Sequence, residues 1–220
     1  MIIAIDGPAG AGKSTVAKAV ARALGFGYLD TGAMYRAITY KALETEIGLD
    51  DEVALGELAE AALLELSDSH IFIDGRDVTA EIRLPRVGGA VSIVSSATTV
   101  RRRMVAKQRE VAAALKNVIV EGRDIGTVVF PDAEVKVFLT AGASERAARR
   151  LAELRTKGLE IEAAAVEREL LERDRLDSGR DVSPLLQAPD AHLIDTSDKT
   201  VDDVVQAIEV LAEAAGGRDR

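Results

Sequence analysis

Short apolar runs rich in β-branched residues recur along the chain at 2–5, 28–30, 118–121, 135–139 and 192–195, each too short for a helix and bounded by polar or turn-forming positions. Between them lie longer stretches with helical character. In 14–24, Val16, Val20 and Leu24 fall four apart on one face, and Gly25 follows where a left-handed cap would close the helix. Residues 98–116, 144–157, 160–178 and 201–214 are rich in Ala, Leu, Glu, Arg and Lys with few breakers, and read as further helices; Asp202 and Asp203 suit the N-terminus of the last. Five strands separated by helices predict an α/β fold around a five-stranded parallel sheet.

The rhythm changes between about 46 and 97. An acidic, alanine-rich helix is followed by His70–Thr79, in which Asp74-Gly75 makes a turn between two short strand-like pieces. This segment reads as an inserted lobe with a small antiparallel element. The terminal GGRDR reads as a frayed tail.

With 220 residues, 47% of them hydrophobic, the chain can bury its own core without crosslinks. It has no cysteine, which excludes disulfides and thiolate metal sites, and its two histidines, His70 and His192, are too few for a histidine-rich one. The first apolar run is broken at Asp6, and no later run approaches the ~20 residues of a membrane helix, so a cytoplasmic protein with no membrane partner is expected. A net charge of −9 argues against extended nucleic-acid binding. No apolar heptad repeat is present, and a monomer is expected.

Chemistry enters at Gly7–Ser14. GPAGAGKS satisfies the phosphate-loop pattern GxxxxGK followed by Ser or Thr, and it stands between the first strand and the first helix, where that pattern works. Backbone N–H groups of Gly7, Pro8's successors Ala9, Gly10, Ala11 and Gly12, and of Lys13 and Ser14 can turn toward phosphate oxygens. Lys13 would span the β- and γ-phosphates and the Ser14 hydroxyl would help hold Mg²⁺, with Thr15 packing behind or assisting. A nucleoside triphosphate is thus the expected ligand, with Mg²⁺ as cofactor.

A phosphate loop by itself does not separate kinases, GTPases, ATP-driven machines and regulatory nucleotide-binding modules. The chain lacks a DxxG switch and an NKxD base-reading motif; its one asparagine, Asn117, precedes valine. The strand 118–121 ends in one carboxylate, Glu121, not the acidic pair of a motor. A small-molecule kinase is favoured, and it needs positive charge from several directions to bring two polyanions together. The arginines are clustered suitably: Arg36, Arg101–Arg103, Arg123, Arg146, Arg149, Arg150, Arg155, Arg173, Arg175 and Arg180. Arg123 and Asp124 directly follow a strand, at the carboxyl edge of the sheet where open α/β folds bind ligands. Arg149 and Arg150 lie on a polar helix of the kind a closing lid uses.

In order and spacing, IDGPAGAGKST, LDTGAMYR, VSIVSS with the arginine-rich helix after it, EGRDIGTVVFPDA and RDRLDSGRDVSPL resemble the bacterial cytidylate (CMP) kinases, within the nucleoside-monophosphate kinases. The likeness covers nearly the whole chain. It implies a P-loop NTPase core at about 1–35, 98–143 and 175–214, a monophosphate-binding lobe with its antiparallel insert at about 36–97, and a short lid at about 144–174. It implies that Ser92, Arg101 and Asp124 recognise cytosine, that Arg36, Arg123 and Arg180 meet the acceptor phosphate, that Asp177 and Arg173 meet the ribose, and that Thr31 and Tyr35 line the acceptor pocket. The expected reaction is transfer of the ATP γ-phosphate to CMP or dCMP, with Lys13, Arg123 and Arg150 as catalytic residues. Two departures stand out: Glu121 where aspartate is frequent, and Ser14 where glycine is frequent.

Overall fold

In the computed structural model, which describes residues 1–67, 70–156, 158 and 160–216, the alternation resolves into eight strands and eight helices. The strands are β1 (Ile2–Asp6), β2 (Gly27–Asp30), β3 (Leu64–Leu66), β4 (Ile71–Ile73), β5 (Arg76–Asp77), β6 (Val118–Glu121), β7 (Val135–Thr140) and β8 (His192–Asp195). The helices are α1 (Lys13–Leu24), α2 (Thr31–Glu44), α3 (Glu52–Ala61), α4 (Pro85–Ser96), α5 (Thr98–Leu115), α6 (Ala143–Thr156), α7 (Ala163–Ser178) and α8 (Val201–Gly216). The chain divides into two compact units, Met1–Tyr28 with Lys116–Arg220, and the continuous stretch Leu29–Leu115.

The first unit is built on the five-stranded parallel sheet, in the order β2-β6-β1-β7-β8. Register sets what reaches the carboxyl edge: Ile5 pairs with Glu121 and Asp6 with Phe138, so Asp6 and Glu121 end neighbouring strands together. Beneath that edge Ile3, Ile5, Val16, Val20, Ile119, Val137, Leu139, Val204 and Ile208 form one apolar core, and α1 packs on α8 through it. Fully burying each such side chain contributes about 1.5–3 kcal/mol. Helix α1 ends as its sequence predicts, at Gly25 with φ of 65°. Helix α8 opens with a reciprocal cap in which the Asp203 carboxylate accepts from Thr200 N–H and the Thr200 hydroxyl from Asp203 N–H. Of the tail expected to fray, Gly216 closes α8 and 217–220 lie outside the described residues. Helix α7 starts at Ala163, later than the expected 160, because Glu162 has extended backbone.

The second unit packs α2 to α5 around Leu29, Met34, Ile38, Leu55, Ile82 and Met104, all fully buried. Its small sheet is antiparallel, in the order β3-β4-β5, and the Asp74-Gly75 turn joins β4 to β5. Asp74 adopts a φ of 52°, and its carboxylate accepts from Leu63 N–H at 3.0 Å and from Lys41. Residues 29–35 and 98–115 fall in this unit, whereas 144–174 fall in the first. No helix among the described residues is long and apolar enough to cross a membrane.

Candidate functional site

The first unit carries the phosphate loop between β1 and α1. Gly7, Gly10 and Gly12 all have positive φ (144°, 78° and 87°), which lets successive peptides turn their N–H groups to the inside of the loop. The carbonyls turned the other way are met by side chains: Lys13 Nζ donates to Pro8 O at 2.8 Å, Arg146 to Ala9 O at 3.0 Å, and the Thr196 hydroxyl to Ala11 O at 3.3 Å. Thr196 is itself held by Arg149, whose guanidinium donates to its hydroxyl at 2.9 Å and its carbonyl at 2.6 Å. Thr15 is exposed beside Ser14 on the first turn of α1.

Lys13 is buried, and burial together with the Arg123 charge pushes its ammonium down from 10.5 to about 7, with Glu121 opposing. The Ser14 hydroxyl donates to Glu121 Oε2 at 2.9 Å, and the Tyr28 hydroxyl donates to Glu121 Oε1. Glu121 is thus a buried carboxylate at the end of β6, beside the loop hydroxyl.

After β6 the chain makes a π-helical turn, Ile125–Val129, and the residue preceding it, Asp124, makes no side-chain capping hydrogen bond. Asp6 supplies the cap from β1: its carboxylate accepts from Ile125 N–H at 2.9 Å and Gly126 N–H at 2.8 Å. Burial pushes the Asp6 carboxyl up to about 6; the two N–H groups and Lys13 pull it back, and Asp124 pushes the same way as burial. Asp124 is buried at the head of this turn.

A measurable consequence follows from Asp6. Its folded-state value lies above the ordinary 3.8, so the folded protein takes up the proton first as pH falls. The resulting stability is complete below about 3.8 and lost as pH rises through about 6. Urea unfolding of the wild type and Asp6→Asn at pH 7 and pH 4 should show the difference between them moving in favour of the wild type at pH 4 by about 2–3 kcal/mol. An equal difference at both pH values would remove Asp6 as the titrating group.

Further round the same unit, Asp177 is a hub. It is buried at 1% exposure; Arg123 Nε donates to it at 2.8 Å, Arg180 donates to its other oxygen, and Arg173 Nε lies 4.0 Å away. Burial works to raise this carboxyl, but Arg123, Arg180 and Arg173 outweigh it and hold it below the ordinary value. Three guanidiniums around one carboxylate leave a net positive cluster suited to a phosphate. Arg150 stands apart on α6, partly exposed and hydrogen-bonded to Glu153 at 2.7 Å.

The second unit brings together the other expected residues. Asp30 ends β2 and caps α2, accepting from Ala33 N–H at 2.7 Å, and its second oxygen lies 3.2 Å from Arg36 and 3.5 Å from Arg83. Thr31 and Tyr35 are buried on the first two turns of α2. The Arg101 guanidinium, 3% exposed, stacks 5.5 Å from the centre of the Tyr35 ring and donates to Ser95 O at 3.1 Å. Ser92 is buried on α4, its carbonyl accepting from the Ser95 hydroxyl. His70 and His192 are exposed, on a loop and on the edge strand β8.

Three contributors lie outside the set expected from sequence: Asp6, Thr196 and Asp174. Each acts on backbone distant in the chain, such as Asp174 Oδ1 on Ala9 N–H at 3.3 Å, and no local motif marks them.

The cytidylate kinase family model matches residues 3–214 of the chain. Cytidylate kinase from Caldanaerobacter subterraneus subsp. tengcongensis is 53% identical over 206 residues, covering 94% of this chain and 92% of that protein. The cytidylate kinase of Pelotomaculum thermopropionicum is 48% identical over 221 residues, with 98% and 96% covered. Among solved structures, an uncharacterized protein from Eubacterium ventriosum ATCC 27560 is similar in fold, with a TM-score of 0.53 at 14% identity and 96% of each chain covered.

Proposed function

This chain belongs to the cytidylate kinase family, and we infer from that premise that it transfers the γ-phosphoryl group of ATP to CMP or dCMP, giving ADP with CDP or dCDP. The observation that carries the reading is the company the phosphate loop keeps: its buried lysine shares one unit with three arginines gathered on Asp177. A loop for one polyanion and a separate cationic cluster for a second are what phosphoryl transfer between phosphates requires.

In this reading the acceptor phosphate is met by Arg36, Arg123 and Arg180 and attacks the γ-phosphorus in line. It is largely ionised at neutral pH, with a second pKa of about 6, so no general base is needed and no covalent enzyme intermediate forms. Lys13, the loop N–H groups and Arg150 stabilise the charge spread over the transferring group. Ser14 and Glu121 offer hard oxygen donors 2.9 Å apart, a fit for Mg²⁺. Among the described residues no cluster of three or more His, Cys, Asp or Glu could hold a metal alone, so the ion would depend on phosphate oxygens and water, as Mg²⁺ commonly does. When bound, it supplies charge neutralisation at the β- and γ-phosphates.

Cytosine is assigned to Arg101, donating to O2 and N3, and to Ser92 and Asp124, accepting from the exocyclic amine. Thr31 and Tyr35 line the acceptor pocket. Asp177 and Arg173 are assigned to the ribose; a carboxylate has about four acceptor positions, so Asp177 can take a ribose hydroxyl while keeping its arginines. The core is assigned to about 1–35, 98–143 and 175–214, the monophosphate lobe to 36–97 and the lid to 144–174. A cytoplasmic monomer without nucleic-acid partners completes the proposal.

Uracil reverses the hydrogen-bond polarity at O4 and N3, and two unpaired groups give about 10²- to 10⁴-fold discrimination. The test is ADP release with ATP, Mg²⁺ and each of CMP, dCMP, UMP, AMP and GMP, on the wild type and on Asp124→Ala. CMP and dCMP should be the best acceptors, and Asp124→Ala should lose about tenfold or more of the preference over UMP. UMP or AMP as best acceptor would remove the pocket assignment; no turnover with any would point to a nucleotide-gated binding module.

A further inference from the structure

Arg146 and Asp174 have no place in the chemistry above, yet both reach the phosphate loop. Arg146 projects from α6 and is buried at 6% exposure; its Nε donates to Ala141 O at 3.1 Å, and its terminal nitrogen donates to Ala9 O at 3.0 Å and to Asp174 Oδ2. Asp174 projects from α7 and accepts the Ala9 N–H on its other oxygen at 3.3 Å. Both polar groups of one peptide residue are therefore taken by one ion pair drawn from two helices. The surroundings close on the same point. The Ala9 methyl belongs to the apolar cluster of the α6–α7 hairpin, with Ala147, Leu154, Val166 and Leu170. A side chain at Gly10 would meet Arg146 Cβ at 3.0 Å and its carbonyl oxygen at 3.2 Å.

We propose that Arg146 and Asp174 are a positioning pair that fixes the Ala9–Gly10 peptides and so sets the curvature of the loop that receives the ATP phosphates, without either side chain touching the nucleotide. The physical case is that loop N–H groups stabilise phosphate only if they are already aimed, and a glycine-rich loop has no stiffness of its own. Each fixed peptide moves that ordering cost from ligand binding to folding. Arginine suits the role because its rigid plane is anchored through Nε on Ala141 O while a terminal nitrogen reaches Ala9 O and Asp174, a fixed geometry that a flexible lysine stem does not impose. The inference rests on the reading that this loop holds ATP.

Removing the buried arginine outright risks the fold, so the variants are Arg146→Lys, Asp174→Asn and the double change. The readouts are the dissociation constant of a β,γ-imido ATP analogue, KM for ATP and for CMP, and the thermal midpoint. Each single variant should weaken the analogue and raise KM for ATP about tenfold or more, leave KM for CMP within about twofold, and the double should be no worse than the weaker single. Unchanged analogue affinity in a folded variant overturns the pair's role. So does a parallel rise in both KM values that tracks the loss of thermal midpoint. A wild type that binds the analogue but phosphorylates no monophosphate defeats the proposed function alone, since the pair is still judged on analogue binding; a wild type that does not bind it defeats both.

Discussion

Lys13→Met should lower kcat for ADP formation by about a thousandfold or more while the thermal midpoint holds or rises. Both halves come from the same fact. Lys13 is an amine buried beside Arg123, held by Pro8 O and depressed to about 7, so the ligand-free fold gains little from its charge. Methionine fills a similar volume and removes a charge the interior disfavours. What is lost is a cation at the loop that can follow the γ-phosphate as charge redistributes. Steady-state kinetics at saturating ATP and CMP, with a thermal melt on the same samples, decide it. A loss of only a few-fold in kcat would show that another group carries the transferring phosphoryl.

Gly7→Ala should be the most damaging single methyl in the first unit, destabilising it by at least about 3 kcal/mol. At Gly7, φ is 144°, and an added Cβ would lie 2.1 Å from the Leu139 carbonyl oxygen on β7, backbone that cannot swing aside. Relief requires parting β1 from β7 where Asp6 pairs with Phe138, which also pulls Asp6 from the turn at Ile125. The urea midpoint should fall and affinity for an ATP analogue should drop with it. A midpoint matching the wild type would show that the strand ends have slack that the close approach does not suggest.

Much of the first unit was legible because its signals are local. The five runs of β-branched residues became the five sheet strands nearly to the residue, and GxxxxGKS sits where strand meets helix. Helix α2 is harder to read: TGAMYRAITYKALE mixes β-branched and aromatic residues with a glycine, and it is tertiary burial of Met34, Tyr35, Ile38 and Tyr40 that makes it helical. PRVGGAVSIVSS hides α4 in the same way behind two glycines and a valine-rich end. The turn Ile125–Val129 looks like strand continuation, and only the carboxylate of Asp6, 119 residues earlier, gives its first N–H groups a reason to coil.

Side chains whose work is done at a distance left no trace in spacing. Arg146 reads as one more cation on a polar helix until Ala9, 137 residues before it, is seen at its tip. Asp177 was legible as a polar residue near arginines of its own segment, but its hold on Arg123 crosses 54 residues. Arginine clusters announce a polyanion site; which members are tethered and which remain available is decided by long-range pairing that composition does not encode.

The two units also differ in when they can form. Leu29–Leu115 is one uninterrupted stretch of chain and contains all of its own core, so it can fold as soon as it leaves the ribosome. The other unit begins earlier and finishes much later. Strand β1 must wait more than a hundred residues for β6 and β7, its partners on either side, and α1 waits for α8 near the end of synthesis. During that interval the phosphate loop hangs from an unpaired apolar strand, and a stalled or truncated chain would display a folded lobe attached to an open, aggregation-prone edge.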